Sequence, residues 1–253
     1  MSARFDEKVV LITGGAGTIA TATAQAFAER GATVVLAGRN AEQLAKTAAE
    51  IHADGGKLDW VVADVTDAYQ VAAMVEEVVR RHGRLDVAFN NAGILGTPAP
   101  VGDMDDNDWH RVLDVNLNGV FLSMKHEIAH MRGNGGGVIV NMASNIGSHG
   151  RRPGLAAYAA SKAAVSVLSQ TAARDHIGEG IRINAISPGA TDTRMSFRPG
   201  ETREDRDARV ATAIPLGRVG DPAEIAAAVV WLASPESSFV IGHDLVIDGG
   251  ATA

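Results

Sequence analysis

Two side chains that could transfer a proton, Tyr158 and Lys162, lie four residues apart in the stretch YAASK. The surrounding sequence, AAYAASKAAVSVLSQTAAR, is typical of a helix, and residues at positions i and i+4 share a helix face. A free tyrosine has a pKa near 10 and is a poor acid or base at neutral pH. A cation about 4 Å away, at an effective dielectric constant near 20, contributes on the order of 4 kcal/mol, or roughly 3 pKa units at most. We therefore expect Lys162 to lower the pKa of Tyr158 into a working range.

A third candidate, Ser144, lies in NMASNIG, directly after an apolar run that predicts a strand. Ligands of open α/β sheets bind at the carboxyl edge of the strands, where this serine would lie. Its hydroxyl could hold a substrate carbonyl oxygen beside the tyrosine. The alternative interpretations are a serine that stabilises a turn and a Tyr-Lys pair on an ordinary helix surface.

The glycine-rich stretch TGGAGTIA (13–20) follows the apolar run VVLI. From Gly15 it fits the pattern G-x-G-x-x-A of a dinucleotide-binding loop. Gly15 would form the tight turn, Gly17 would let the backbone approach a pyrophosphate, and the small Ala20 would let the helix pack on the strand. The helix N-terminus would then attract the phosphates. A turn without a ligand is the alternative.

The second strand is predicted to end in AGR, with Arg39 at the position that reads the ribose in such units. An acidic residue there favours a free 2′-hydroxyl, whereas an arginine offers a planar cation to a 2′-phosphate. The sequence therefore favours NADP, and NAD stays possible because Arg39 could simply be an exposed surface residue.

These residues need a scaffold, and the chain predicts one from end to end. Seven short β-branched runs alternate with helical stretches, a rhythm that predicts an α/β, Rossmann-like, doubly wound parallel seven-stranded sheet in a single domain, residues 1–253. Capping patterns mark two predicted helix starts, one at Asn40 with Gln43 and the other at Asp221 with Pro222 and Glu224. The predicted strands are KVVLITGG, TVVLAGR, LDWVVADV, LDVAFNNAG, GGVIVNMAS, IRINAISPG and DLVIDGG.

Composition excludes several classes of function. A net charge of -7 argues against a nucleic-acid binder, and the absence of cysteine excludes disulfides and thiolate chemistry. We expect no metal site. The polar start MSARFDEK and the lack of an apolar stretch of about 18 residues predict a cytoplasmic protein without a membrane segment.

These motifs and their order along the chain resemble those of the short-chain dehydrogenase/reductase family. The matching stretches are TGGAGTIA, Asp64-Val65, NNAG (90–93), Asn116 in VNLNGVF, Ser144, YAASK, NAISPGATDT (184–193) and the closing IPLGRVGDPAEIAAAVVWLASPESSFVIGHDLVIDGG. The resemblance covers nearly the whole chain. One departure is Thr18, since most relatives have glycine there and at the position of Ala20.

The resemblance implies catalytic roles for four residues. Tyr158 is the acid or base, Lys162 lowers its pKa and binds the nicotinamide ribose, Ser144 orients the carbonyl, and Asn116 supports a water that relays protons. It also implies a cofactor site in which Asp64 lies at the adenine and Thr191 and Thr193 lie near the carboxamide. The full predicted cofactor set is Gly14, Gly15, Gly17, Thr18, Ile19, Arg39, Asp64, Val65, Asn90, Ala92, Gly93, Tyr158, Lys162, Pro188, Gly189, Thr191 and Thr193.

We therefore expect an oxidoreductase that moves hydride between NADP(H), or NAD(H), and a secondary alcohol or ketone. The alternatives are a non-catalytic nucleotide-sensing protein and an epimerase or dehydratase that uses the same Tyr-Lys pair. Relatives commonly form homotetramers, so a tetramer is expected. The charge-dense run at 198–209 is either a solvated helix face or part of a mobile lid at 194–214. Arg151 and Arg152 could hold a substrate carboxylate or simply face water. His149 could touch the substrate or likewise face water.

Overall fold

The computed structural model describes residues 3–53 and 55–253 and contains one seven-stranded, all-parallel sheet with the strand order β3-β2-β1-β4-β5-β6-β7. Each strand coincides with one of the predicted apolar runs. The strands are β1 (Val9–Thr13), β2 (Thr33–Gly38), β3 (Lys57–Val62), β4 (Val87–Asn90), β5 (Gly137–Met142), β6 (Ile181–Pro188) and β7 (Asp244–Ile247).

Strand β1 has neighbours on both sides, with Val10 beside Val34 of β2 and beside Val87 of β4. The chain therefore winds one way from β1 to β3 and the other way from β4 to β7. The loops that follow β1 and β4 meet at this switch point, at the carboxyl edge of the sheet, where doubly wound sheets bind their ligands. The predicted glycine loop and NNAG lie on these two loops.

Helices cover both faces of the sheet, as a parallel sheet requires. One apolar layer packs α3, α5 and α6 on the sheet, and the other packs α1, α2 and α8. The predicted fold is confirmed. The helices are α1 (Thr18–Ala28), α2 (Ala41–Ala53), α3 (Ala68–His82), α4 (Asp106–Leu113), α5 (Gly119–Arg132), α6 (Ala156–His176), α7 (Arg203–Ala213) and α8 (Pro222–Ala233).

The predicted helix starts are confirmed. The Asn40 side chain accepts the Gln43 N–H at 3.0 Å at the start of α2. At the start of α8, Asp221 and Glu224 form a reciprocal capping box with Pro222 at the first helical position. Across the two described ranges, no helix combines the length and the apolar composition needed to cross a bilayer.

Residues 203–209 of the charge-dense run begin α7, and they are more than a solvated helix face. Arg206 is only 1% exposed, its Nη1 donates to Asp192 at 2.6 Å, and its guanidinium stacks on Phe197 with 4.4 Å to the ring centroid. Arg209 is bound to Glu201 at 2.6 Å. Arginines thus hold α7 to the segment after β6, and the lid at 194–214 stays a prediction.

Candidate active site

The glycine loop makes its tight turn at Gly14. Gly14 has φ +66°, and the Gly17 N–H donates to its carbonyl at 2.9 Å. A Cβ at Gly14 would lie 2.9 Å from the Ala92 Cα, so only glycine fits between this loop and the loop after β4. Gly15 is required for a different reason, since a Cβ there would lie 2.7 Å from the Leu36 Cβ. The tight turn that the sequence pattern assigned to Gly15 belongs to Gly14.

Helix α1 begins directly after this turn, with Gly17 as its N-cap in an extended conformation. Thr18 is the first helical residue and is exposed, Ile19 is partly buried, and Ala20 is fully buried against the sheet. The threonine therefore occupies an ordinary helical position, which needs no left-handed backbone. A glycine cap supplies no side-chain acceptor, so the first N–H groups of α1 face outward and can receive an anion.

The two residues predicted to face the adenosine half of a dinucleotide lie side by side. The Arg39 guanidinium, at the end of β2, is 3.7 Å from the Asp64 carboxylate, which follows β3. Asp64 is fixed by hydrogen bonds from the Thr66 N–H at 3.0 Å and hydroxyl at 2.8 Å, whereas the Arg39 side chain is 72% exposed. An exposed pair of this kind contributes at most about 1 kcal/mol, so Arg39 can exchange its partner. The adjacent Val65 is buried.

Ser144, Tyr158 and Lys162 come together at the carboxyl edge, as the sequence predicted. Ser144 lies two residues beyond β5, and Tyr158 and Lys162 lie on one face of the first turns of α6. All three are buried, with 6%, 8% and 2% exposure respectively. The Lys162 ammonium is 5.9 Å from the Tyr158 ring centroid and donates to the Met142 carbonyl at 2.7 Å.

The expected reduction of the Tyr158 pKa is wrong for this structure. Burial raises the pKa of Tyr158, and the interaction with the Ser144 hydroxyl lowers it by less. The same burial lowers the pKa of Lys162 to about 8. The ammonium is bound to the Met142 carbonyl, and it does not reverse the effect of burial on the phenol. A tyrosine that stays protonated at neutral pH is ready to donate to an oxygen atom.

Asn116 lies in a π-helical turn, Asp114–Asn118, between α4 and α5. Its side chain is fully buried, accepts the Ile94 N–H at 2.8 Å, and donates to the Ile94 carbonyl at 2.9 Å and the Ser161 hydroxyl at 3.1 Å. The side chain therefore ties the loop after β4 to α6, and the part of Asn116 in a proton relay stays a prediction. No sequence pattern predicted the π turn, although such turns often mark functional sites.

Gly93 allows that loop to pass close to Lys162. A Cβ at Gly93 would lie 3.3 Å from both the Lys162 Nζ and the Asn116 Oδ1. The loop after β4 is held from the other side by Asn91, whose Nδ2 donates to the Thr13 carbonyl at 3.1 Å. Gly93 and Ala92 thus form the wall between the glycine loop and the catalytic residues.

Asn90 was also predicted to face the cofactor, but its side chain points beneath the site. Its Nδ2 donates to the Glu127 carboxyl and to the Asn141 Oδ1, both at 3.0 Å, and the Asn141 Nδ2 donates to the Ser169 hydroxyl at 2.9 Å. We call Asn90, Glu127, Asn141 and Ser169 the enclosed cluster. Sequence reasoning missed Glu127, although a glutamate on the apolar face of α5, between Met124 and Met131, is a signal that could have revealed it.

The turn after β6 completes the carboxyl edge. Gly189 packs against the chain after β7, where a Cβ would lie 2.6 Å from the Asp248 Cβ. The Thr191 hydroxyl donates to the Gly189 carbonyl at 3.1 Å, and the Thr193 N–H donates to the Thr191 carbonyl at 2.7 Å. This turn carries the chain from Pro188 to the arginine-rich segment before α7.

Comparison with known proteins agrees with this geometry. Residues 14–252 match a family model described as enoyl-(acyl carrier protein) reductase. The chain is 41% identical, over all of both chains, to a cis-4-hydroxycyclohexanecarboxylate dehydrogenase of Sinomonas cyclohexanicum. It is 42% identical to a 3-oxoacyl-[acyl-carrier-protein] reductase of Thermotoga maritima, over 98% of both chains. A solved short-chain type dehydrogenase/reductase from Mycobacterium ulcerans superposes with a TM-score of 0.92 at 32% identity, over 98% of this chain and 91% of that one.

The chain belongs to the short-chain dehydrogenase/reductase family. It is an NAD(P)-dependent oxidoreductase that interconverts secondary alcohols and ketones. The site of this short-chain dehydrogenase/reductase fits a nicotinamide dinucleotide. Gly17, the N-cap of α1, has no side chain that covers the helix N-terminus, so its N–H groups are open to phosphates, and the left-handed backbone of Gly14 forms the turn that leads into it.

Proposed function

We propose that this enzyme interconverts a cyclic secondary alcohol and its ketone, with NADP(H) preferred over NAD(H). The observation that carries the proposal is the buried group of Ser144, Tyr158 and Lys162 at the carboxyl edge of the sheet. The ring in the proposed substrate is suggested by a relative that matches this chain over its full length, the cis-4-hydroxycyclohexanecarboxylate dehydrogenase.

Each of the three side chains has a distinct task in the proposed mechanism. A bound nicotinamide supplies the hydride chemistry. Ser144 donates its hydroxyl hydrogen to the substrate oxygen and fixes the carbonyl beside Tyr158. Tyr158 delivers its proton to that oxygen during reduction and removes it during oxidation, because one site must serve both directions. Lys162 lies within reach of the phenol and of the wall at Gly93, and it stabilises the phenolate that forms when the proton leaves.

The test of this mechanism uses the two tyrosines of the chain. Tyr158→Phe removes only the hydroxyl, and we expect kcat/KM for oxidation of cyclohexanol or reduction of cyclohexanone to fall by about 10³-fold, within the range for a lost acid-base group. Tyr69→Phe is the matched control, because Tyr69 is 89% exposed on α3. Equal turnover by the Tyr158→Phe variant and the parent would show that proton transfer runs elsewhere. Tight NADPH binding without turnover of any alcohol or ketone would favour a nucleotide sensor.

The cofactor preference rests on Arg39. The guanidinium is exposed beside Asp64, and no acidic residue occupies positions 37 to 39. We expect Arg39→Gln to raise the KM for NADPH about tenfold, as loss of a charge-assisted pair to a phosphate implies, and to change the KM for NADH little. Arg174→Gln, an exposed arginine at the far end of α6, is the control. A parent enzyme that binds NADH as tightly as NADPH would contradict the preference.

We also propose a homotetramer, since two apolar surfaces are exposed on the monomer. Phe239, 99% exposed, lies with Trp231 and Ile241 beside β7, and Phe121 and Val167 are exposed on α5 and α6. Exposed apolar groups of this kind are typical of interfaces. Light scattering should give a mass near four times 26.3 kDa, and a monomer would contradict the proposal.

A further inference from the structure

Asp244, the first residue of β7, carries a carboxylate that is almost fully buried, since its side chain is only 5% exposed. Side chains from three other elements bind it. The Ser187 hydroxyl of β6 donates to Oδ1 at 2.6 Å, the Ser166 hydroxyl of α6 donates to Oδ2 at 2.6 Å, and the His149 Nε2 lies 2.8 Å from the same Oδ2. A buried carboxylate is stable only when such donors surround it. Asp244 therefore joins β6, β7, α6 and the loop after β5 at one point.

His149 is the partner of Asp244 that lies on a loop, five residues beyond Ser144. We call residues 144–150 the serine loop. An ionised carboxylate only accepts hydrogen bonds, so the His149 Nε2 carries a hydrogen and donates it. Both the neutral and the cationic imidazole can do this. The side chain is therefore neither a surface group that faces only water nor free to turn towards a substrate, because it attaches the serine loop to β7.

The serine loop is closed on itself, so it responds to this attachment as one piece. The Gly150 N–H donates to the Asn145 carbonyl at 2.6 Å, and the Gly147 N–H donates to the Gly150 carbonyl at 3.0 Å. Gly147 also lies directly against α6, where a Cβ would lie 2.9 Å from the Ala163 nitrogen. A displacement of His149 is therefore passed along the hydrogen bonds to the start of the serine loop.

The start of the serine loop fixes the direction of the Ser144 hydroxyl. The Ile146 N–H donates to the Ser144 Oγ at 3.1 Å. This bond occupies a lone pair of the oxygen and leaves the hydroxyl hydrogen available for a substrate oxygen. The helix α6 is held by the same carboxylate at Ser166, one turn beyond Lys162. Asp244 thus holds the serine loop and the catalytic helix in one arrangement.

We propose that His149 and Asp244 are positioning residues, whose hydrogen bond keeps the Ser144 hydroxyl beside Tyr158 so that both can bind one substrate oxygen. The inference rests on the proposed function, in which Ser144 binds that oxygen. Neither positioning residue touches the substrate or the cofactor in this role. Loss of their bond should therefore slow the chemical step and leave cofactor binding unchanged, since small displacements of a reacting group cost rate rather than cofactor affinity.

The first test compares two substitutions of His149. His149→Leu removes the donor and keeps the bulk, and we expect kcat for reduction of cyclohexanone to fall about tenfold while the KM for NADPH changes by less than about twofold. His149→Gln keeps an N–H donor, and its kcat should stay within about threefold of the parent value. His110→Leu, at an exposed position on α4, is the control. Parental kcat in His149→Leu, or an equal loss in the Leu and Gln variants, overturns the inference.

The second test asks whether His149 acts through Asp244. Asp244→Asn replaces one accepting oxygen by an NH₂ group, and we expect kcat to fall at least as far as in His149→Leu. The variant with both changes should be no slower than Asp244→Asn alone, because the two residues form one interaction. Losses that multiply in the double variant overturn the coupling. Titration with NADPH shows whether Asp244→Asn is folded, and if it is not, the two His149 variants decide.

A third measurement needs no substrate and so separates this inference from the proposed function. Amide hydrogen exchange in the serine loop should be about tenfold faster in His149→Leu than in the parent, and exchange in the glycine loop should be unchanged. Unchanged exchange in the serine loop overturns the inference. Failure of the parent to turn over any alcohol or ketone overturns the proposed function, and the exchange rates still decide whether His149 holds the serine loop.

Discussion

Two buried polar regions lie next to each other in this protein and serve opposite purposes. The catalytic edge contains Ser144, Tyr158 and Lys162, and the enclosed cluster beneath it contains Glu127 with its amide and hydroxyl partners. Each region contains an ionisable side chain whose charged form is disfavoured by burial, and the catalytic edge contains two, Tyr158 and Lys162. The pKa of Lys162 is lowered to about 8, and the pKa of Glu127 is raised to about 8.

The regions differ in what surrounds these groups. In the enclosed cluster, polar side chains from β4, β5, α5 and α6 bind one another. Glu127 joins α5 to the end of β4 through Asn90, and Asn141 joins β5 to α6 through Ser169. One oxygen of Glu127 and the Asn90 Oδ1 still have no partner in the described structure. At the catalytic edge, Tyr158 and Lys162 lie at the carboxyl end of the strands, where doubly wound sheets bind their ligands. Burial of polar groups therefore positions the scaffold in one region and prepares chemistry in the other.

The comparison between the catalytic edge and the enclosed cluster is tested most strongly by Lys162→Met. This change removes the buried cation and keeps a side chain of similar size. We expect kcat/KM to fall by about 10³-fold or more, because Tyr158 loses the positive charge that stabilises its phenolate. The free energy of unfolding of the Lys162→Met variant should be higher than that of the parent at neutral pH. A pKa lowered from 10.5 to about 8 means that the unfolded chain binds more protons between these values, so the parent becomes more stable as the pH rises through that window.

The stabilising effect of Lys162→Met is therefore largest below about pH 8, where it reaches at most about 3 kcal/mol, and disappears near pH 10.5. Urea unfolding at about pH 7 and pH 10 measures it. Lys125→Met, an exposed lysine on α5, is the control. A variant less stable than the parent at neutral pH would show that Lys162 contributes to folding through its bond to Met142.

Much of the catalytic edge was predictable because local patterns determine it. Parallel strands end at one edge, so Ser144 after β5 and the glycines after β1 had to lie on the same side of the sheet. The spacing of Tyr158 and Lys162 placed both on one face of α6. These features depend on strand ends and helix periodicity, which the sequence shows directly.

The features that the sequence did not predict depend on packing between distant elements. The direction of the Tyr158 pKa follows from burial that α6 and the loop after β5 create together. The orientation of Asn90 depends on Glu127, which is 37 residues further along the chain. Arg206 resembles its exposed neighbours in sequence and is buried only because Asp192 and Phe197 fold against it.

Glu127→Gln tests the same comparison by a change in the enclosed cluster. Burial raises the pKa of Glu127 from 4.5 to about 8, so the folded protein binds more protons than the unfolded chain within this window. The stability of the parent should fall as the pH rises from 4.5 to 8, and the full cost, at most about 5 kcal/mol, is present above pH 8. Glu127→Gln removes this dependence and retains a hydrogen-bond acceptor for Asn90.

The stability difference between Glu127→Gln and the parent should therefore grow with pH, opposite to that of Lys162→Met. Urea unfolding near pH 5 and pH 9 measures it, with Glu76→Gln on the exposed face of α3 as the control. Parallel pH profiles for variant and parent would mean that Glu127 is already ionised in the folded protein at neutral pH.

The smallest effects come from a matched pair of serines, one in each region. The Ser169 hydroxyl accepts from Asn141 at 2.9 Å and donates to the Val165 carbonyl at 2.7 Å. Ser169→Ala leaves the buried Asn141 amide with a weaker set of partners, so we expect a loss of about 1 kcal/mol of stability and unchanged kcat/KM. Ser144→Ala should lower kcat/KM by about 10²-fold, because its hydroxyl acts on the substrate oxygen, and should lower stability by no more than Ser169→Ala does, because it removes one acceptor, that of the Ile146 N–H at 3.1 Å. Urea unfolding measures the stability of both variants, and steady-state kinetics measures their activity. A loss of activity in Ser169→Ala equal to that in Ser144→Ala would show that the enclosed cluster contributes to catalysis as much as the catalytic edge does.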